Sequence, residues 1–155
     1  MPRPQNNKNV CSPPQVSRFK PVGTATRHLQ KISLSIDEYE AIRLADHLGY
    51  SHLEAANSMR VSRPTFSRLI QRARKKTADF FINGKALIVE GGNIRFNNNI
   101  FQCRQCNYIW KIDIKEQHTK CPNCNSVDII NRAEKFGHGI YCANSRKFRN
   151  RKNRN

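Results

Sequence analysis

Acidic side chains are scarce in this sequence. Eleven Asp and Glu stand against 28 Lys and Arg, a formal charge of +17, and residues 1–36 contain no acid at all. So lopsided a balance favours a polyanionic partner, because each neutralised phosphate releases counterions. A solvated basic protein without a partner would carry the same charge, so the distribution matters more than the sum. Residues 37–92 are nearly balanced, with nine basic and seven acidic side chains, as in a folded domain. Residues 93–155 have thirteen basic and four acidic, ending in "NSRKFRNRKNRN".

Long apolar runs are missing too. The N-terminus "MPRPQNNKNV" has no apolar stretch of the kind that directs export, and no run is long enough to span a bilayer. The expectation is a soluble, cytoplasmic protein without a membrane partner. In a reducing compartment its six cysteines suit metal ligands or free thiols better than disulfides. Neither a nucleophile–base set nor a phosphate-cradling glycine loop occurs, and no small-molecule substrate is evident, so an enzyme is not expected.

What is present falls into four stretches. Residues 1–32 form a basic arm in which Pro13, Pro14 and Pro21 favour extended chain over helix. From Ser35 the pattern turns helical. "SIDE", Ser35 to Glu38, is a capping box opening a helix to about His47, with Gly49 as its stop. "SHLE", Ser51 to Glu54, opens a second, short helix that ends near Arg60. Ser62 caps a third, with Pro64 in its first turn and Phe66, Leu69, Ile70, Ala73, Thr77 and Phe80 along one side. Asn83-Gly84 ends that helix, "KALIVEGG" predicts a short strand, and "NIRFNNNIFQC" predicts a hairpin through its asparagines. Residues 33–92 are thus expected as an all-α trihelical domain.

The second and third helices meet at a three-residue corner. Ala55 and Ala56 are small where backbones must touch, and Met59, Val61, Phe66 and Leu69 are apolar where a helix-turn-helix faces its core. A packed helical hairpin would need some of the same residues. The outward face favours the first reading: Arg63, Thr65, Ser67, Arg68, Gln71 and Arg72 follow one another with no acid before Asp79. Arg reads guanine bidentately, Gln can read adenine, and Ser or Thr reaches base or phosphate. Arg63, Ser67, Arg68 and Gln71 are therefore expected to address bases of duplex DNA, with Arg60, Ser62, Thr65 and Arg72 nearer phosphates. Such readers commonly pair on two half-sites, so a homodimer fits.

Here the sequence resembles a known family. "MPRP", Cys11, "FKPVG", "LSIDEYEAIRLAD", "EAANSMRVSRPTF" and "NGKALIVEGG" are similar to the uncharacterised-protein family 0251, or domain-of-unknown-function 134 family, over residues 1–92. That family's helical core resembles the region 4 of bacterial sigma factors that reads the promoter, which implies duplex DNA binding and transcription regulation. One departure stands out: the corner carries Arg60 where such proteins usually have glycine, and a left-handed side chain there costs about 1 kcal/mol.

The other motif is "CRQCNYIWKIDIKEQHTKCPNC". Cys103 and Cys106, then Cys121 and Cys124, have the spacing of one tetrahedral thiolate site. Asn107 and Asn125 follow the two pairs, where a left-handed residue is often needed. Tyr108, Trp110, Ile112 and Ile114 alternate like one side of a strand. A unit over residues 100–131 is below the ~40 residues at which a metal or disulfide is usually needed for folding. It is expected to be a small β zinc ribbon holding one structural zinc ion, with basic disordered chain at 132–155. It resembles a rubredoxin-type ribbon, although the glycines of that pattern are absent after its knuckles, and iron in the same cage is the alternative. With iron the protein would be redox-active; association with RNA is a further alternative. His118 is a spare ligand that four cysteines make unnecessary. Cys142 and His138 stand isolated in the basic tail, and Cys11 is expected to serve the structure of the arm.

Overall fold

The computed structural model describes residues 7–113 and 115–136. The chain divides into two compact units, Met1–Val10 with Pro14–Ile94, and Cys11–Pro13 with Arg95–Asn155.

The first unit is mixed α/β, which corrects the all-α expectation. The arm is extended, as its prolines require, but it is built into sheet: β1 (Lys8–Val10), β2 (Arg18–Phe19) and β3 (Lys31–Leu34) precede the helices. After α1 (Ile36–Ile42), α2 (His52–Met59) and α3 (Arg63–Ile82) comes β4 (Ala86–Val89). β4 lies between β2 and β3, antiparallel to the first and parallel to the second, with Arg18 opposite Ile88 and Leu34 opposite Val89. Parallel neighbours need a long crossover, and here the three helices are that crossover. Strands of two to four residues leave almost no periodicity to read, so only β4 could be foreseen.

The helix boundaries follow local chemistry. Ser35 N donates to Glu38 Oε2 at 2.9 Å at the head of α1. The turn after α1, Arg43–His47, stays helical to the expected residue but widens to π geometry, with Leu48 N donating to Arg43 O. Gly49, at φ 73°, then ends it. At α2 the capping box is reciprocal: Ser51 N donates to Glu54 Oε2 at 2.8 Å, and Glu54 N to Ser51 Oγ at 3.2 Å. Ser62 Oγ accepts from Thr65 N at the head of α3.

Between the helices lie Ala41, Leu44, Ala55, Ala56, Met59, Phe66, Leu69 and Ile70, all buried. Complete burial of a side chain such as Phe66 or Met59 stabilises by about 1.5–3 kcal/mol. Three acids of α1 are buried as well, and each has a cation: Asp37 meets Lys8 at 2.7 Å, Glu38 meets Lys76 at 2.7 Å, and Glu40 meets Arg43 at 2.8 Å. Gly92, at φ 98°, lies so close to Asp37 that a Cβ there would stand 2.8 Å from Oδ1. That contact explains the second glycine of the "EGG" sequence.

β5 (Ile94–Phe96) follows. The second unit is a three-stranded antiparallel sheet of β6 (Asn98–Cys103), β7 (Ile109–Asp113) and β8 (Ile129–Asn131), with β6 in the centre. The hairpin expected through the asparagines does not form, because β6 pairs with β7 and β8 instead. Phe101, Trp110 and Ile112 pack with Cys103 and Cys121 in its core. Trp110 and Ile112 are buried while Ile109, Lys111 and Asp113 are exposed, the alternation the sequence predicts; Tyr108 precedes the strand and is exposed instead, and Ile114 lies outside the described residues. Ordered chain continues past Asn131 as a 3-10 turn, Arg132–Phe136, with Ala133 buried. The rest of the expected tail, with His138 and Cys142, and the "MPRP" start also lie outside the described residues. Cys11 ties its segment to β6, its carbonyl accepting from Asn98 N at 3.1 Å and Nδ2 at 2.9 Å, while Lys111 Nζ lies 3.0 Å from its sulfur. Among the described residues no helix is long and apolar enough to cross a membrane.

Candidate metal centre and exposed helix face

The four cysteines sit in two knuckles closed by the same pair of bonds. In the first, Asn107 N donates to Cys103 O at 3.1 Å and Cys103 N to Tyr108 O at 2.9 Å. In the second, Asn125 N donates to Cys121 O at 2.9 Å and Cys121 N to Ser126 O at 2.8 Å. Both asparagines are left-handed, φ 58° and 59°, as the knuckle demands of the residue after each second cysteine.

The knuckles bring all four sulfurs within 4.8 Å of one another. Cys103 and Cys124 are 3.5 Å apart, and Cys106 and Cys121 3.7 Å. A disulfide needs about 2.05 Å, whereas four thiolates 2.3 Å from one ion stand about 3.8 Å apart, so the spacing fits a tetrahedral metal. Cys103 and Cys121 are buried, and Cys106 and Cys124 lie at the surface. His118 is not in the cluster; its ring lies against that of Trp110.

The electrostatics suit the same use. The Asn123 amide, 3.5 Å from Cys106 Sγ, and the Tyr108 N–H lower the Cys106 thiol to about 6. Cys103 is lowered by the Cys106 and Gln105 N–H groups. At Cys124 the Ser126 N–H favours thiolate, but burial and the three neighbouring sulfurs outweigh it and push the thiol up to about 12. The Cys124 thiol thus holds its proton among its neighbouring sulfurs. A divalent cation would take that proton's place, and soft sulfur ligands select zinc or iron among the common ions.

On the first unit, the residues expected to meet DNA gather around the head of α3. Arg60 adopts φ 54° and ψ 46°, so the corner turns left-handed without glycine. Arg60, Ser62, Arg63, Thr65, Arg68, Gln71 and Arg72 are exposed, on the side away from Phe66, Leu69, Ile70 and Ala73. Ser67 differs. It is half-buried, and its hydroxyl lies 2.9 Å from His52 Nδ1, which ties α3 to α2. Ser62 and Thr65 are bonded to each other through their hydroxyls at 2.7 Å. Arg72 is open to solvent, but its guanidinium is 3.7 Å from Glu38.

Three contributors escaped the sequence reading. Asn123 is inside "CPNC", where its amide could have been suspected as a sulfur donor. His52 sits at the first position of α2, fifteen residues before Ser67, and nothing local marks that pairing. Glu38 was legible as a capping residue, but not as the partner of Lys76 and Arg72.

Comparison with known proteins agrees with the resemblance in the sequence. A family model described as "Protein of unknown function DUF134" matches residues 1–97. A UPF0251 protein of Chloroherpeton thalassium is 44% identical over 129 residues, covering 83% of this chain and 85% of the relative. One of Pelotomaculum thermopropionicum is 43% identical over 128 residues, 83% of this chain and 96% of the relative. A third, from Chlorobaculum tepidum, is 37% identical over 142 residues, 90% of this chain and 72% of the relative. No solved structure matches the chain.

Proposed function

The chain belongs to the DUF134 family, also known as UPF0251, and we propose that it binds duplex DNA as a transcription regulator. The observation that carries this function is the corner between α2 and α3. Its left-handed Arg60 and the Ser62 cap lead into a helix with one buried side and one open basic side. A helix of that kind fits a major groove, with Arg63, Arg68 and Gln71 toward base edges and Arg60, Ser62 and Thr65 toward phosphates. Ser67, bonded to His52, is better suited to holding the two helices in register than to reading a base. Arg72 divides its charge between Glu38 and the phosphates, and the helix-turn-helix likeness to sigma region 4 is part of the same proposal.

The second unit is proposed as a zinc ribbon. One structural zinc in the Cys103, Cys106, Cys121 and Cys124 cage would supply the stability that so small a sheet lacks. Four protein ligands leave no open position on such an ion, which argues for a structural role and against an enzyme. A cytoplasmic homodimer on two half-sites completes the proposal. Iron would fit the same sulfurs and give a redox protein; visible absorbance of the purified protein separates the two. Trp110 is buried, which leaves Tyr108 as the open ring of that pair and weakens the RNA alternative.

The test is selection of duplexes from a random pool by the metal-loaded full chain at about physiological salt, since low salt inflates non-specific binding. Enrichment of one motif is expected, and a repeated or inverted half-site would report the dimer. A pool that stays random would remove α3 as a reading helix.

A further inference from the structure

A cleft of about 270 Å³ opens on the first unit beside the β2–β4–β3 sheet. Its apolar lining includes Phe19, Ala86 and Ile88, and Arg18, Lys20 and Lys31 stand around it; among the described residues no acid contributes. The strand register explains how the charges converge. Arg18 pairs with Ile88 from one side of β4, and Lys31 with Ala86 from the other. Residues two apart on a strand share a side of the sheet, so both cations project on the side of Ala86 and Ile88, from strands about 10 Å apart.

Their charge is also uncompensated. Elsewhere on this unit Lys8, Arg43, Arg74, Lys76 and Lys85 each meet a carboxylate within 3 Å. Among the described residues Arg18 and Lys31 have no acidic partner, and Lys20 Nζ reaches only the Thr24 carbonyl at 3.3 Å. Two free cations facing each other across apolar surface are complementary to a negatively charged head on an apolar body. A bare inorganic anion would leave that surface uncovered.

We propose that this cleft binds a small amphiphilic organic anion, with its carboxylate, sulfonate or phosphate held between Arg18 and Lys31 and its apolar part against Ala86 and Ile88. The volume is just below the range typical of drug-sized ligands, so the body is no larger than about three rings. The inference rests on the sheet of the first unit and stands independently of DNA binding.

Anilinonaphthalene sulfonate is a suitable fluorescent probe, titrated into the metal-loaded full chain, with amide chemical shifts recorded in parallel. One saturable site is expected, with shifts concentrated at Arg18, Lys31 and Ala86 to Ile88. The Arg18→Gln/Lys31→Gln variant, checked as folded by circular dichroism, should bind about tenfold more weakly or worse, and so should phenylnaphthylamine, which lacks the sulfonate, on the unaltered protein. Lys115→Gln should leave binding unchanged. Equal affinity for the neutral analogue, no loss in the double variant, or shifts elsewhere would overturn the proposal. Displacement of the probe by duplex DNA would also overturn it, by assigning these cations to the phosphate backbone.

Discussion

Lys8 Nζ stands 2.7 Å from Asp37 Oδ2, an ion pair between the arm and the first turn of α1 in which the carboxylate is only 6% exposed. Burial alone would raise the Asp37 carboxyl, but hydrogen bonds from Lys8 and Ser35 and the Lys8 charge outweigh it, and the net shift is downward. A carboxyl lowered in the folded state stabilises above its unfolded value and loses that contribution as the pH falls toward the folded one. Asp37→Asn should therefore be less stable than the unaltered protein near neutrality, with the difference shrinking below about pH 4. Urea denaturation at a series of pH values measures this directly. A difference independent of pH would mean that Asp37 acts by packing alone.

Arg60 supplies a second test, because structure and proposed function pull in opposite directions. Its left-handed backbone, φ 54°, carries a Cβ where glycine is preferred. Arg60→Gly should stabilise the first unit by up to about 1 kcal/mol while weakening DNA binding through the lost phosphate contact. Thermal denaturation and a salt titration of binding report the two effects. A variant that is destabilised would show that the arginine side chain holds the corner.

The metal is tested through Trp110, which is the chain's one tryptophan and lies in the core beside Cys103 and Cys121. Removing the ion by a chelator, or replacing Cys121 with serine, should expose that indole and shift its fluorescence to the red. The helices of the first unit should keep their far-ultraviolet signal. Metal analysis should return one ion per chain, because structural zinc contributes about 10–16 kcal/mol of apparent binding energy that a small sheet does not recover otherwise. Unchanged Trp110 emission after complete metal removal would exclude a structural ion.

Arg68 is exposed on the open side of α3, and no acidic residue pairs with it among the described residues. Arg68→Ala should cost about 1–3 kcal/mol on the selected site and less on other sequences, relaxing the preference at one base pair. Removing lysines and arginines from the C-terminal tail should instead flatten the salt dependence on every sequence. Fluorescence anisotropy with matched and mismatched duplexes distinguishes the two, and an equal loss on all of them would take Arg68 out of the base-reading set.

The helix heads and the sulfur cluster were legible because each is made by residues close in the chain. Ser51 and Glu54 bond across three residues, Asn107 returns to the Cys103 carbonyl across four, and the two cysteine pairs each span one knuckle. The sheet of the first unit was not legible. β2 and β3 are two and four residues long, and β3 finds its partner only across the whole helical segment. The asparagine-rich stretch misled in the same way, since its turn-forming composition says nothing about which strand β6 will take as neighbour.

By itself the sequence determined the charge balance, the three capped helices, the left-handed position after each cysteine pair and the four sulfurs that converge. All of these depend on bonds within a few residues or on side-chain chemistry that holds in any fold. Tertiary structure alone decided that Glu38 would neutralise Lys76, that Ser67 would be occupied by His52, and that Arg18 and Lys31 would face each other across β4. Those pairings join residues thirteen to thirty-eight apart, through packing and strand register that no local pattern encodes.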